Sequence, residues 1–251
     1  MIAPSRIRWI WLPVLSVLAL CGPVRAESPD VASLDRLLKR HVAPGETRGV
    51  ALHRVDYLAW AADPEYPRAL AAFAAFDPAR LEGRAERLAF WINAYNLLAI
   101  HVVIDRQVTG SIREAGSLLR SVWKRDAGTV GGRPVTLHRI EHEILRPMGD
   151  PRIHMAIVCA SVSCPDLRRE AYRAEWLDAQ LDDQARRFLA NPGKGAVGAD
   201  AVTVSRIFDW FAGDFGGTGG VLAFVGRYRE GAHPTRLDGY FEYDWGLNGV
   251  E

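Results

Sequence analysis

Two of the three cysteines in this chain, Cys159 and Cys164, stand in one short stretch, "IHMAIVCASVSCPDL", residues 153–167. Three uses are open to them: a disulfide closed by a turning loop, a pair of buried apolar thiols, or a nucleophile activated by an imidazole. A thiol attacks only as its thiolate, so the third use requires a base nearby. His154 lies five residues before Cys159, and His142 follows Glu141 in "IEH", residues 140–142. Bare chemistry leaves the alternatives open.

Two other groups of residues bear on the same chemistry. Successive helical residues diverge by about 100°, so Glu141 and His142 flank a pocket rather than both entering it, while Arg146 shares the face of His142. In "FWINAYN", residues 90–96, Asn93 and Asn96 are three apart on one face of an apolar helix. Buried amides need partners, so this pair either ties down a neighbouring loop or lines a polar pocket. Neither an HExxH pattern nor paired CxxC motifs occur, and no metal or cofactor is expected.

The elements that must carry these residues follow from periodicity. "VASLDRLLKRH", residues 31–41, reads as an amphipathic helix, and the prolines at 64, 67 and 78 break the next stretch into short helices. Asp77-Pro78 reads as the cap of a long helix reaching about Arg106, apolar nearly all round and therefore the buried spine. Gly131-Gly132 marks the turn of a hairpin or an irregular pair of short strands, and Thr136 or a neighbour caps a helix bearing "LHRIEHEILR". The run "DPRIHMAIVCA" reads as a buried strand. Beyond it come a helix ending at Asn191-Pro192-Gly193, a strand leading into a short aromatic helix, another helix, and a terminal strand in "GYFEYDWGLN". The class is α+β, a predominantly helical single domain with a small sheet.

Residues 1–26 have the form of a secretory signal: Arg6 and Arg8, an apolar core from Trp9 to Gly22, and a small-residue site at Val24 and Ala26. Cleavage there leaves residues 27–251 as one domain with an N-terminal helical extension over 27–79. It removes three arginines and no acidic residue, moving the formal charge from +1 to −2. A near-neutral surface argues against nucleic acid as a partner. A periplasmic or secreted location, with no membrane span after cleavage, is the expectation. The aromatic cluster Phe208, Trp210, Phe211 and Phe215 suits either a core or a binding platform.

Taken in order, "FWINAYNLLAIHVVI", "VTLHRIEHEILR", "DPRIHMAIVCASVSCPDL", "VSRIFDWFAGDF" and "YDWGLN" resemble the family called domain of unknown function 547, over about residues 80–250. The resemblance implies a fold of the general papain and transglutaminase type and a cysteine, histidine and glutamate site, which falls here on Cys159, His142 and Glu141. Plant relatives look to carry serine at the position of Cys164. The function so implied is an exported thiol enzyme: Cys159 attacks an acyl carbonyl of an amide or peptide, His142 is general base and Glu141 orients it. His154 is the reserve base. The Ala160–Ser163 loop, including Ser161, is expected to bind substrate and oxyanion with Asn93 or Asn96 assisting. The expected partner is a peptide or cell-envelope component. A non-catalytic peptide-binding domain and a Cys159–Cys164 redox protein are the alternatives.

Overall fold

The computed structural model describes residues 31–117 and 120–250. The expected signal segment and Cys21 lie outside the described residues. The architecture is α+β with more helix than strand, but its strands form three small sheets rather than one.

Helix α4, Arg84–Asp105, is the spine, with almost every residue from Leu88 to Val103 buried. Its length and composition would allow a membrane crossing, yet 78% of its most apolar window is covered by the rest of the fold. It starts later than the sequence suggests. Asp77 caps a single turn of 3-10 helix, Pro78–Arg80, by accepting the Ala79 N–H at 3.0 Å. Leu81 then drops into the core in an extended conformation. Only at Gly83, whose N–H is accepted by the Glu86 carboxylate at 3.1 Å, does the long helix begin.

Around α4 pack helix α1 (Ala32–His41), the hairpin of β1 (Val42–Thr47) and β2 (Val50–Val55), and helices α2 (Tyr57–Ala62) and α3 (Glu65–Ala75). Leu34, Leu37, Trp60 and Phe73 share one core with Leu88 and Ile92. The expected helical extension therefore also contains a hairpin, and it is built into the domain. Its edge is fixed to the far end of the chain: the Val55 N–H meets the Asn248 carbonyl at 3.0 Å, and the Tyr57 hydroxyl donates to Asn248 Oδ1 at 2.6 Å. The hairpin of β3 (Asp126–Val130) and β4 (Arg133–Thr136) turns at Gly131 and Gly132, with φ of 57° and 73°. Both are left-handed, which is why two glycines stand there.

A second, smaller core lies among α6 (Leu177–Ala190), α7 (Ile207–Trp210), α8 (Gly217–Tyr228) and a sheet of β5 (Ala196–Val197), β6 (Ala201–Val204) and β7 (Arg236–Tyr240). Strand β6 is central, antiparallel to β5 and parallel to β7. The terminal strand thus stops at Tyr240, and residues beyond it run as an extended segment with isolated bridges at Leu247 and Gly249.

The two cores meet at the cysteine-bearing segment, where Met155 packs into the smaller one and Ile153, Ala156, Ile157 and Val158 into the larger. Here the expected strand is absent. Asp150-Pro151 opens a turn, Ile153–Ala156 form the short helix α5, and the backbone then extends through Ile157 and Val158 without joining a sheet. The reason is a side chain that does a strand's work. Asn96 donates from Nδ2 to the Ala156 carbonyl at 3.0 Å and accepts the Val158 N–H on Oδ1 at 2.8 Å. Asn93 does the same for both backbone groups of Tyr172, at 2.8 and 2.9 Å. Neither asparagine lines the large cavity described below, so the expected binding role gives way to the loop-tying one.

Truncating Asn96 to alanine strands two buried backbone groups, each worth about 1–3 kcal/mol. Asn96→Ala is expected to lower the unfolding free energy by roughly 3 kcal/mol in urea titration. A loss below about 1 kcal/mol would contradict the surrogate-strand assignment.

Candidate functional site

The polypeptide between β4 and α5 sets up one wall of the site. Thr136 Oγ1 accepts the Arg139 N–H at 3.0 Å, as expected of a cap, but the helix that follows widens into a π-helix over Arg139–Leu145. Wider turns reduce the angle between successive side chains, and such segments recur at functional sites. Glu141 and His142 consequently both line a cavity of about 360 Å³, together with His154, Cys159, Cys164 and Tyr243. A cavity of this size suits a small organic ligand.

The two sulfurs are bonded to each other in the cavity wall. Ala160 makes the turn possible by adopting φ of 60°, a left-handed conformation that costs a non-glycine residue about 1–2 kcal/mol. The C-terminal segment holds the loop in that shape. Val162 and Ser163 donate their N–H groups to the Gly246 and Asp244 carbonyls at 2.8 and 3.2 Å, and Asn248 donates to the Ala160 carbonyl at 3.0 Å. The amides of Val162 and Ser163, expected at an oxyanion site, are thereby occupied. Ser161 is fully buried behind the bond, its hydroxyl donating to the Cys159 carbonyl at 3.4 Å, and it does not line the cavity.

The same C-terminal segment delivers Tyr243, whose hydroxyl stands 3.2 Å from each sulfur. Cys164 also receives the Cys159 N–H on its sulfur at 2.9 Å. Cys164 is buried, whereas Cys159 is half-buried. Both cysteines line the cavity, and the Cys159 N–H is the donor that reaches the Cys164 sulfur alone.

Neither histidine is bonded to a cysteine. Arg146 Nη1 donates to His142 Nδ1 at 2.8 Å, so the neutral ring carries its proton on Nε2. Burial, with His138 and Arg146 adding to it, lowers the His142 pKa. His154 donates from Nε2 to Asp214 Oδ2 at 2.8 Å and stacks on Phe211, with ring centroids 4.1 Å apart. Burial outweighs its carboxylate partner and brings its pKa down to about 4. Asp214 in turn takes two bonds from Arg146, at 2.6 and 2.8 Å, which hold its carboxyl below the usual range.

Glu141 is treated differently by its surroundings. Burial pushes its pKa up to about 7, against the opposing pull of Arg146 and a 3.4 Å bond from the Tyr95 hydroxyl. It is a proton donor and acceptor poised near neutrality. Among the described residues no group of three His, Cys, Asp or Glu side chains is placed to hold a metal ion.

The sequence singles out Cys159, Glu141, His142 and His154, and all four line the one cavity, Glu141 and His142 side by side where a step of about 100° has them only flank it. It does not single out Tyr243, Tyr95 or Asp214. Tyr243 and Asp214 sat within "YDWGLN" and "WFAGDF", and a buried histidine's need for a partner was the signal for Asp214. The expected aromatic cluster divides: Phe208 and Phe215 are core, Phe211 lines the cavity, and Trp210 is 46% exposed at its mouth.

Fold and site together define an α+β domain with a cystine, a protonatable glutamate and a tyrosine converging on one cavity. Residues 78–189, which hold the π-helix and both cysteines, match the model of the family described as "Protein of unknown function, DUF547". No curated protein and no solved structure matches the chain.

The Glu141 shift fixes a pH dependence. A carboxyl whose folded pKa exceeds its unfolded value stabilises the fold below the unfolded pKa, near 4.5, and loses that contribution as pH rises through about 7. Glu141→Gln removes the loss. Relative to wild type, the variant is expected to gain up to about 3 kcal/mol between pH 4.5 and 8, read from paired denaturant titrations. Parallel curves for the two proteins would refute the shift.

Proposed function

We propose that the chain acts in thiol–disulfide exchange, with the Cys159–Cys164 bond as its reactive group. The observation that carries this reading is the asymmetry of the pair: Cys159 is the more exposed of two cysteines that both line the cavity, while the Cys164 sulfur accepts the Cys159 N–H at 2.9 Å, and the Tyr243 hydroxyl lies 3.2 Å from each sulfur. That N–H favours negative charge on Cys164 and makes it the better leaving group, with the Tyr243 hydroxyl in reach of either sulfur. A substrate thiolate attacks Cys159 Sγ, forming a mixed disulfide as the Cys159–Cys164 bond breaks and Cys164 departs as thiolate. A second substrate thiol then attacks its own sulfur in the mixed disulfide and frees Cys159. Two electrons pass to the protein pair, the substrate dithiol becomes a disulfide, and its two protons end on the protein thiols. Glu141, titrating near neutrality, serves as the local proton carrier. A second thiol–disulfide couple of the same chemical class restores the oxidised pair.

Export belongs to this proposal. A bonded thiol pair suits an oxidising compartment, and the signal-like residues 1–26 agree with a periplasmic or secreted protein. A peptide or cell-envelope component is the substrate class in view. The near-neutral charge supports no role in nucleic-acid binding.

A second reading keeps the acyl-transfer chemistry and the papain or transglutaminase type. It is favoured by one observation, that Glu141, His142 and His154 line the same cavity as Cys159. It requires the bond to open first; His142 could then act as base only after leaving Arg146, which occupies its Nδ1, whereas His154, giving Nε2–H to Asp214, keeps Nδ1 as its basic nitrogen.

The variants Cys164→Ser and Cys159→Ser, each carrying one of the two thiols, separate the roles. With glutathione disulfide, Cys159 is expected to form a mixed disulfide at least about ten-fold faster than Cys164. Tyr243→Phe is expected to slow opening of the native bond by dithiothreitol by roughly ten-fold, the worth of one bond to a charged sulfur. Equal thiol rates and an unchanged Tyr243→Phe rate would defeat the exchange reading. Thioester hydrolysis by the reduced protein alone, lost in Cys159→Ser and His142→Ala, would put the acyl-transfer reading in its place.

A further inference from the structure

The mouth of the cavity has a composition that neither the cystine nor the buried histidines explain. Trp210, Tyr243 and Trp245 form a continuous aromatic wall: Trp210 stacks on Trp245 with centroids 5.6 Å apart, and Tyr243 lies 4.5 Å from Trp245 and 4.8 Å from Trp210. Trp123 extends it, 6.3 Å from Trp245. A cluster of this kind is ordinarily buried in a core. Here Trp210 is 46% exposed and all four residues line an open cavity. An aromatic or aliphatic side chain laid on that wall would leave water on both sides.

Charge at the rim has one sign. Lys124 lines the cavity beside Trp123, is exposed, and makes no ion pair among the described residues. Arg113 is likewise exposed and without an ion pair among them, and its guanidinium lies over Trp245 at 5.2 Å from the ring centroid. The carboxylates nearby are engaged: Asp214 is held by Arg146, Asp244 by Arg48 at 2.9 Å, and Asp209 by Arg206 at 3.2 Å. Glu141 lies deeper, on the tyrosine side. Two unpaired cations beside an aromatic wall are complementary to a molecule that joins an apolar body to an anionic group.

We propose that the cavity takes a short peptide or acylated amino acid by an aromatic or large aliphatic side chain on the Trp210–Tyr243–Trp245 wall, with a carboxylate of the same molecule at Lys124 and Arg113. The ligand class is thus an apolar, carboxylate-bearing peptide. The binding claim stands by itself. Only the corollary, that the preferred exchange substrate is a cysteine next to such a residue, rests on the proposed thiol chemistry. The wall and the cystine are lined up on one cavity, so a residue adjacent to the reacting cysteine is the one that would reach the aromatics.

The test titrates the oxidised full chain with N-acetylphenylalanine, N-acetylphenylalaninamide and N-acetylglycine, following tryptophan emission, and repeats it with Lys124→Gln/Arg113→Gln and Trp210→Ala. The acid is expected to bind at least about three-fold tighter than the amide, which is the scale of exposed charge pairs. N-acetylglycine should not bind. The double variant should lose the acid-over-amide preference yet keep amide binding, while Trp210→Ala should weaken both phenylalanine ligands together. Equal binding of acid and amide, binding of N-acetylglycine alone, or no saturable change with any ligand would overturn the proposal. Exchange rates with N-acetyl-Cys-Phe and its amide are then compared: a bond inert to both while the acid still binds removes the thiol chemistry and leaves the ligand class standing. Exchange at equal rates, with no binding preference, does the reverse.

Discussion

Everything at the site depends on one amide. The segment that brings Cys159 to the cavity is extended but has no neighbouring strand, so its buried peptide groups would be unsatisfied without help. Asn96 supplies a donor and an acceptor to Ala156 and Val158 from the apolar middle of the long helix. Since α4 is the rigid centre of the larger core, the cysteine segment inherits its rigidity. Asn93, one turn earlier, ties Tyr172 to the same helix. The chain can therefore pass from one core to the other through a cavity wall without building a sheet there.

A second constraint is electrostatic. Arg146 neutralises Asp214 and occupies one nitrogen of His142, which leaves Glu141 enclosed without a bonded cation among the described residues. Burial then decides the protonation of each group in the opposite sense: both histidines are held neutral, and the glutamate is brought to the edge of ionisation. The cavity interior near neutral pH is consequently low in net charge, and the unpaired positive charge stands at its mouth. That division suits a reaction in which sulfur alternates between bonded and thiolate forms at the inner end, with recognition at the outer end.

Much of this was legible in the sequence, and the misses have physical causes. The apolar spine, the Gly131-Gly132 hairpin, the cap at Thr136 and the helix ending near Asn191 follow from periodicity and turn chemistry. The strand expected at 153–160 failed because an apolar run bounded by turns has the same composition whether a sheet or a side-chain amide satisfies its backbone. The late start of α4 reflects Leu81, whose burial in an extended conformation outweighs a good capping sequence at Asp77. Asn93 and Asn96 read as buried amides and Ser161 as a binding residue of the loop, but the sequence does not say on which side of the cysteine segment they lie, and all three are buried away from the cavity. Tyr243 escaped because its partner is 79 residues away and nothing local marks it. The widened turn at Arg139–Leu145, which lets Glu141 and His142 share a cavity, has no signature in a period-3.6 pattern.

The proposed exchange makes the Cys159–Cys164 bond a working group and not a staple. The most direct measurement equilibrates the folded protein in a series of dithiothreitol redox buffers, counts the two thiols by alkylation and mass spectrometry, and records near-ultraviolet circular dichroism on the same samples. A reversible two-electron transition between bonded and free thiols is expected, across which the tertiary signal persists. A bond that resists reduction until the tertiary signal collapses would contradict it, and would make the pair a structural link across the loop.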